Sequence, residues 1–230
     1  MQPSTWTIRI AHEYPPAAHM EDLELIYKKV WDHYNQITNF TKAEFDQIVE
    51  LSTIVTLKKG ELVFKQGTIP KYGGYIIRGA VRYFHTDNDR REITTGFQFE
   101  DDCFGDMRSI LFNEPASLSL QAIEETTIGR LDKSHYLHLF DHCKPFAKVM
   151  LLALEKNYNQ LVGETIERID REAQERYVKM MSQYPHILQR VPQRHIASYL
   201  GIKPQSLSRI RKSITERPTT AMQYSVQLRH

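Results

Sequence analysis

Within and just after residues 193–210, a small set of side chains has the types and spacing needed to read nucleic acid. Gln205, Ser208, Arg209 and Lys212 fall on one face of a candidate helix. A Gln can bond both edge groups of an adenine, an Arg both acceptors of a guanine, and a Lys a phosphate. On the opposite face Leu207 and Ile210 stand three apart, as core contacts of a helix do. The residues just before supply what must hold this helix in place. Ala197 is small enough for two helices to touch, and four positions later Gly201 permits the positive φ that a tight turn demands. Ile196, Leu200 and Ile202 can seal the turn, and Pro204 suits a first helical residue, where its missing N–H costs nothing. The pattern is that of a helix-turn-helix.

Charge agrees with this. The chain has 230 residues and a net charge of +2, but residues 170–230 carry eleven Lys/Arg against four Asp/Glu. The preceding residues are net acidic. A basic block coinciding with a helix-turn-helix is the electrostatic footprint of phosphate binding. Composition argues against other classes. No apolar run approaches the ~20 residues that cross a bilayer. The N-terminus places His12, Glu13, Pro15 and Pro16 where a signal peptide would need an apolar block, so a cytoplasmic, soluble protein is expected. Cys103 and Cys143 are the two cysteines, and their spacing matches no zinc or iron–sulfur ligand pattern.

The remaining elements follow from periodicity. Residues 21–50 alternate apolar and charged positions at helical spacing, and Thr41 with Glu44 predicts a capping box. From about residue 52 to 131 the pattern changes. Eight of the ten glycines fall between Gly60 and Gly129. They separate short β-branched and aromatic runs at 54–57, 62–64, 75–77, 80–84, 92–97, 117–122 and 126–131. Such spacing predicts an antiparallel sandwich or barrel. Asp87-Asn88-Asp89 reads as a hairpin turn. A short helix is expected over 133–140, and a long one from Pro145 to Ile169. The seam of the long helix, Leu151, Leu154, Tyr158, Leu161 and Thr165, then Ile166 and Ile169, has the 3,4 spacing of a two-helix interface. Asp170-Arg171-Glu172 reads as a hinge, and a further helix spans 173–183, ended by Pro185.

This order of elements, with its motifs, resembles the cyclic-AMP receptor/fumarate-nitrate regulator (Crp/Fnr) family over residues 40–214. Gly60-Glu61, Gln66-Gly67 and Ile77-Arg78-Gly79 are similar to the turn glycines of that family's β-roll, and residues 191–211 to its DNA-reading segment. The resemblance implies an α+β chain with an N-terminal double-stranded β-helix, the cyclic-nucleotide-binding-like β-roll, over 20–144. A dimerisation helix over 145–169 and a helix-turn-helix domain over 170–214 would follow. Residues 1–19 are expected to be a flexible extension and 215–230 a disordered tail, in which the family's wing hairpin is hard to find.

The resemblance also assigns residues. Phe104-Gly105-Asp106 sits where the family's phosphate cassette has Phe-Gly-Glu. In that cassette the Glu holds the ribose and an Arg about eleven residues later pairs with the cyclic phosphate. Here the Arg position is Ala116, followed by Ser117 and Leu118, and Arg108 is the nearest substitute cation. The effector is therefore expected not to be cyclic AMP, and no cofactor is predicted. The DNA-contacting set is Arg194, Lys203, Pro204, Gln205, Ser206, Ser208, Arg209, Arg211 and Lys212. Within it Gln205 and Arg209 are expected to read bases, while Lys203, Arg211, Lys212 and Arg194 hold phosphates. Lys203 stands where the family places a Ser or Thr cap. The expected partners are double-stranded DNA as an inverted repeat and a second copy of the chain, with RNA polymerase a further candidate. Two other readings compete. One is a β-roll module that binds a protein partner. The other is a metal-dependent enzyme on the same roll, for which His85-Thr86-Asp87 has a ligand-like spacing.

Overall fold

The computed structural model describes Arg9–Ile10 and residues 20–216. In chain order the elements are β1 (Arg9–Ile10), α1 (Met20–Ile37), α2 (Lys42–Leu51), β2 (Ser52–Leu57), β3 (Leu62–Phe64), β4 (Tyr72–Arg78), β5 (Val81–Thr86), β6 (Glu92–Gln98), β7 (Cys103–Phe104), α3 (Met107–Phe112), β8 (Ser119–Ala122), β9 (Thr126–Asp132), α4 (Lys133–His142), α5 (Lys144–Asp170), α6 (Ala173–Gln183), α7 (Ile187–Arg190), α8 (Gln193–Tyr199) and α9 (Pro204–Glu216). The strands form two sheets, ordered β1-β2-β9-β4-β7 and β3-β8-β5-β6. The chain divides into two compact units, residues 1–82 with 97–156, and residues 83–96 with 157–230.

In the first unit the register of the five-stranded sheet sorts its side chains. Ile54, Gly129 and Tyr75 form one cross-strand row, and Val55, Ile128 and Ile76 form the next. Adjacent rows point to opposite faces. The row of Ile54 and Tyr75 joins a core with Tyr34, Phe45 and Ile48 of α1 and α2, Tyr136 and Leu139 of α4, and Phe146 and Met150 of α5. Ile76 and Ile128 are completely buried on the other face. Thr41 and Glu44 close the predicted capping box at the start of α2.

Several boundaries differ from the sequence reading. Within the expected flexible extension, Arg9 and Ile10 pair in parallel with Thr53 and Ile54, so backbone bonds hold the chain there. The rest of residues 1–19 lies outside the described residues. The long helix begins one residue before Pro145, a position Pro tolerates because first-turn N–H groups lack intrahelical partners. Its C-terminus reaches Asp170. At the expected tail Thr215 and Glu216 belong to α9, while residues 217–230, where a wing was sought, lie outside the described residues. Strands β1 and β7 and helices α3 and α7 had no sequence counterpart. Among the described residues no helix is long and apolar enough to cross a membrane.

Candidate nucleic-acid interface and effector cassette

The helix-turn-helix is built locally. Helix α8 ends in a Schellman closure: the Ile202 N–H donates to Ala197 O and the Gly201 N–H to Ser198 O, both at 3.0 Å, with Gly201 at φ +69°. Ile196 and Ala197 are completely buried, and Leu207 nearly so, which packs α8 against α9. The end of α5 supports this pair from within the same unit. Tyr199 donates to Glu164 Oε1 at 2.6 Å, Arg176 Nη2 donates to Leu200 O at 2.8 Å, and Lys179 pairs with Glu167. Burial, then the Glu164 carboxylate, push the Tyr199 phenol well above its ordinary value, so it stays a donor. The hairpin of β5 and β6 also reaches α8. The Thr94 N–H donates to Ser198 Oγ at 2.9 Å, and Ser198 Oγ donates to Glu92 O at 3.2 Å.

These contacts leave one face of α9 open. Pro204, Gln205, Ser208, Arg209 and Lys212 are exposed, as are Lys203 before the helix and Arg194 on α8. Ser206 and Arg211 are half-buried. Burial raises the Tyr177 phenol above its ordinary value, and the nearby Arg211 charge pulls it the other way. Ser208 Oγ donates back to Pro204 O at 3.1 Å.

The cassette residues adopt structural roles. Phe104 is buried on β7. Asp106 caps α3, with Oδ1 accepting the Ser109 N–H at 2.8 Å, and Arg108 pairs with Glu114. Gly105 links Phe104 to that cap. Ala116 is buried, and its backbone is bonded on both sides, to Gly67 N and Thr68 O at 2.8 Å each, whereas Ser117 is exposed. A buried guanidinium does occur, on strand β5. Arg82, 2% exposed, grips Gln121 Oε1 through Nε and Nη2 at 2.9 and 2.7 Å. Sequence reasoning passed over it because Arg is ordinarily a surface residue.

Other candidate chemistry is absorbed by the fold. Asp87 accepts the N–H groups of Asp89 and Arg91 at 2.9 Å and Arg91 Nε at 2.8 Å, so it serves the hairpin turn. Those backbone bonds, with Arg91, hold its carboxyl below the usual value. Among the described residues no group of three or more His, Cys, Asp or Glu side chains is placed to hold a metal. Both cysteines are free thiols. Burial pushes the Cys103 thiol up to about 11, with the Tyr34 hydrogen bond pulling the other way. The thiolate is the nucleophile, so iodoacetamide at pH 8 is expected to alkylate Cys103 about 100-fold more slowly than a peptide cysteine, read by mass spectrometry.

The comparisons agree with this geometry. Residues 54–143 match the cyclic nucleotide-binding domain family. No curated protein matches the sequence. Among solved structures, FixK2 from Bradyrhizobium japonicum is 16% identical with a TM-score of 0.64, over 73% of this chain and 86% of that one. The c-di-GMP-responsive global regulator CLP from Xanthomonas campestris is 16% identical with a TM-score of 0.62, over 77% and 93%. A Crp/Fnr-family regulator from Eubacterium rectale is 15% identical with a TM-score of 0.61, over 83% and 88%. Residues 54–143 are thus similar to a cyclic nucleotide-binding domain, and the chain shares its fold with FixK2, CLP and the Crp/Fnr-family regulator.

Proposed function

We propose that this chain is a homodimeric, sequence-specific regulator of transcription that binds double-stranded DNA through α9. One observation carries the reading. The Schellman turn at Gly201 holds a helix whose open face presents Gln205, Arg209 and Lys212 in succession. The fold shared with FixK2 and CLP and the basic C-terminal quarter support it. Selection of bound sequences from a random DNA library, with no ligand added, tests it. An inverted repeat with half-sites about one helical turn apart is the expected result. An absence of enrichment, with or without cell extract, would favour a protein-binding module instead. RNA polymerase is a second proposed partner, and the cytoplasm the proposed location.

Within the interface, Arg209→Ala is expected to relax base preference by about 1–3 kcal/mol at one position per half-site. Lys212→Ala should weaken all sequences alike and flatten the salt dependence by about one charge. Competition binding with single-base operator variants distinguishes the two, and a changed base preference in Lys212→Ala would contradict the assignment.

The roll is not a cyclic AMP receptor in this reading. Ala116 has no guanidinium to give a cyclic phosphate, Asp106 is engaged at the start of α3, and Arg108 is paired with Glu114. Losing a buried charged partner costs about 2–5 kcal/mol. Calorimetry with cyclic AMP is expected to show no complex tighter than about 10 µM, which corresponds to roughly −7 kcal/mol. CLP responds to c-di-GMP, so this fold accommodates effectors of other kinds.

A further inference from the structure

The core on the helical face of the five-stranded sheet is incompletely filled. A cavity of about 90 Å³ lies between α1, α2 and the first turns of α5 on one side and β2, β4 and β9 on the other, wholly within the first unit. Tyr34, Phe45, Ile54 and Phe146 form its buried walls, and half-buried Ile26 and Val30 of α1 form part of its rim.

Its floor is Gly129, in the same cross-strand row as Ile54 and Tyr75. Nothing in the backbone or its neighbours requires a glycine there. A Cβ at Gly129 would meet only Ile77 Cδ1, at an ordinary 3.7 Å, and the residue's φ is not positive. Gly74 across the ladder is the contrast, since a Cβ on it would lie 2.2 Å from the Gly129 carbonyl oxygen. A glycine inside a strand with open space above it marks a place where something else can approach.

The walls offer carbon rather than polar atoms. The Tyr27 hydroxyl donates to Asp46, the Tyr75 hydroxyl to Asp101 at 2.6 Å, and the Tyr136 hydroxyl to Met107 Sδ at 3.2 Å, so the phenol tips already have partners. Apolar cavities of this kind stay dry, and an engineered one of about 150 Å³ takes up benzene. The present cavity is smaller but opens at its rim. It is also separate from the cassette: the roll interior, filled by Ile76 and Ile128, lies on the opposite face of the sheet.

We propose that this cavity binds a small, uncharged, apolar molecule of single-ring size that enters between α1 and α2. Its walls include Phe146 and Met150 of α5, and the exposed seam of that helix starts at the next residue, Leu151. The occupant thus touches the helix proposed to join two copies. In treating the occupant as an effector the inference rests on the regulator reading, whereas binding itself does not.

Toluene is the probe, added to the full chain and followed by ligand-observed NMR and by the thermal midpoint. The wild type is expected to bind it with a dissociation constant on the order of 0.1–1 mM and to melt higher in its presence. Gly129→Val fills the floor. It is expected to weaken binding at least about tenfold while melting, without toluene, no lower than the wild type. Val30→Phe fills the rim from α1 and gives the same readout if the strand tolerates Val poorly. A wild type that ignores toluene, or equal binding by the wild type and both filled variants, overturns the site. Binding that leaves DNA affinity unchanged overturns only its effector role. A toluene-free protein that selects no DNA sequence counts against the regulator reading alone.

Discussion

A chain carrying both Leu154→Glu and Leu161→Glu is expected to sediment as a monomer and to lose at least about a hundredfold in affinity for an inverted-repeat operator. Helix α5 runs unbroken for 27 residues, about 40 Å at the ordinary rise. Its first turns are anchored by Phe146, Val149 and Met150. Beyond them Leu151, Leu154, Tyr158 and Leu161 are 51–64% exposed and Ile169 is 78% exposed. Single exposed leucines need no explanation, but a stripe repeating at three and four residues along one helix does. The proposed dimer removes that stripe from water. Two carboxylates on it would face two more from the partner helix, adding like-charge repulsion to the lost apolar contact. Because these side chains make no core of their own protomer, the monomer should fold normally, with stability changes within about 0.5 kcal/mol. Phe112→Glu, on the exposed end of α3, is the control and should leave the dimer intact. Sedimentation velocity decides the matter, and a double variant that still sediments as a dimer would remove the seam from the interface.

The parts of this molecule that sequence reveals are those fixed by near neighbours in the chain. The Schellman turn needs a residue that accepts a positive φ and the helix contact needs a small one four positions earlier, and Gly201 and Ala197 supply them. Thr41 and Glu44 close their box three residues apart, and Asp87 folds the hairpin onto itself. Strands such as β3 and β9 stand out because turn residues flank alternating apolar runs. By contrast, the two residues of β7 acquire strand character only through Gly74 and Tyr75, far away in the chain. The cassette shows the same division. Its departure at Ala116 is what the family resemblance implies, whereas the engagement of Asp106 with Ser109 and the pairing of Arg108 with Glu114 depend on how α3 is placed. The burial of Arg82 beside Gln121 and the cavity above Gly129 were invisible for a related reason. Periodicity tells which side chains face inward, not whether their volumes fill the space between elements.

Gly79→Ala is expected to lower the stability of the roll by roughly 2–6 kcal/mol. Two effects combine. Gly79 joins β4 to β5 at φ +102°, a conformation that L side chains rarely adopt, and holding one there costs about 1–3 kcal/mol. The new Cβ would also lie 2.6 Å from Glu125 O and from Thr126 Cα. Both are backbone atoms, and the Thr126 side chain is itself tied to the link through the Ala80 N–H at 3.2 Å and Ala80 O at 3.1 Å, so the crowding cannot be relieved by a rotamer change. Overpacking of this kind costs a further 1–3 kcal/mol or so. Against a typical total of about 5–15 kcal/mol, the sum threatens folding itself. Gly60→Ala separates the terms. Gly60 has a similar φ of +90°, but nothing stands within 4 Å of a Cβ there, so it carries the conformational cost alone. Urea titrations should show Gly79→Ala with the lower midpoint of the two and with an unchanged slope, since neither variant alters the surface exposed on unfolding. Equal midpoints would mean that the backbone of residues 125–126 does not press on Gly79. The glycine would then be required by its dihedral angle alone.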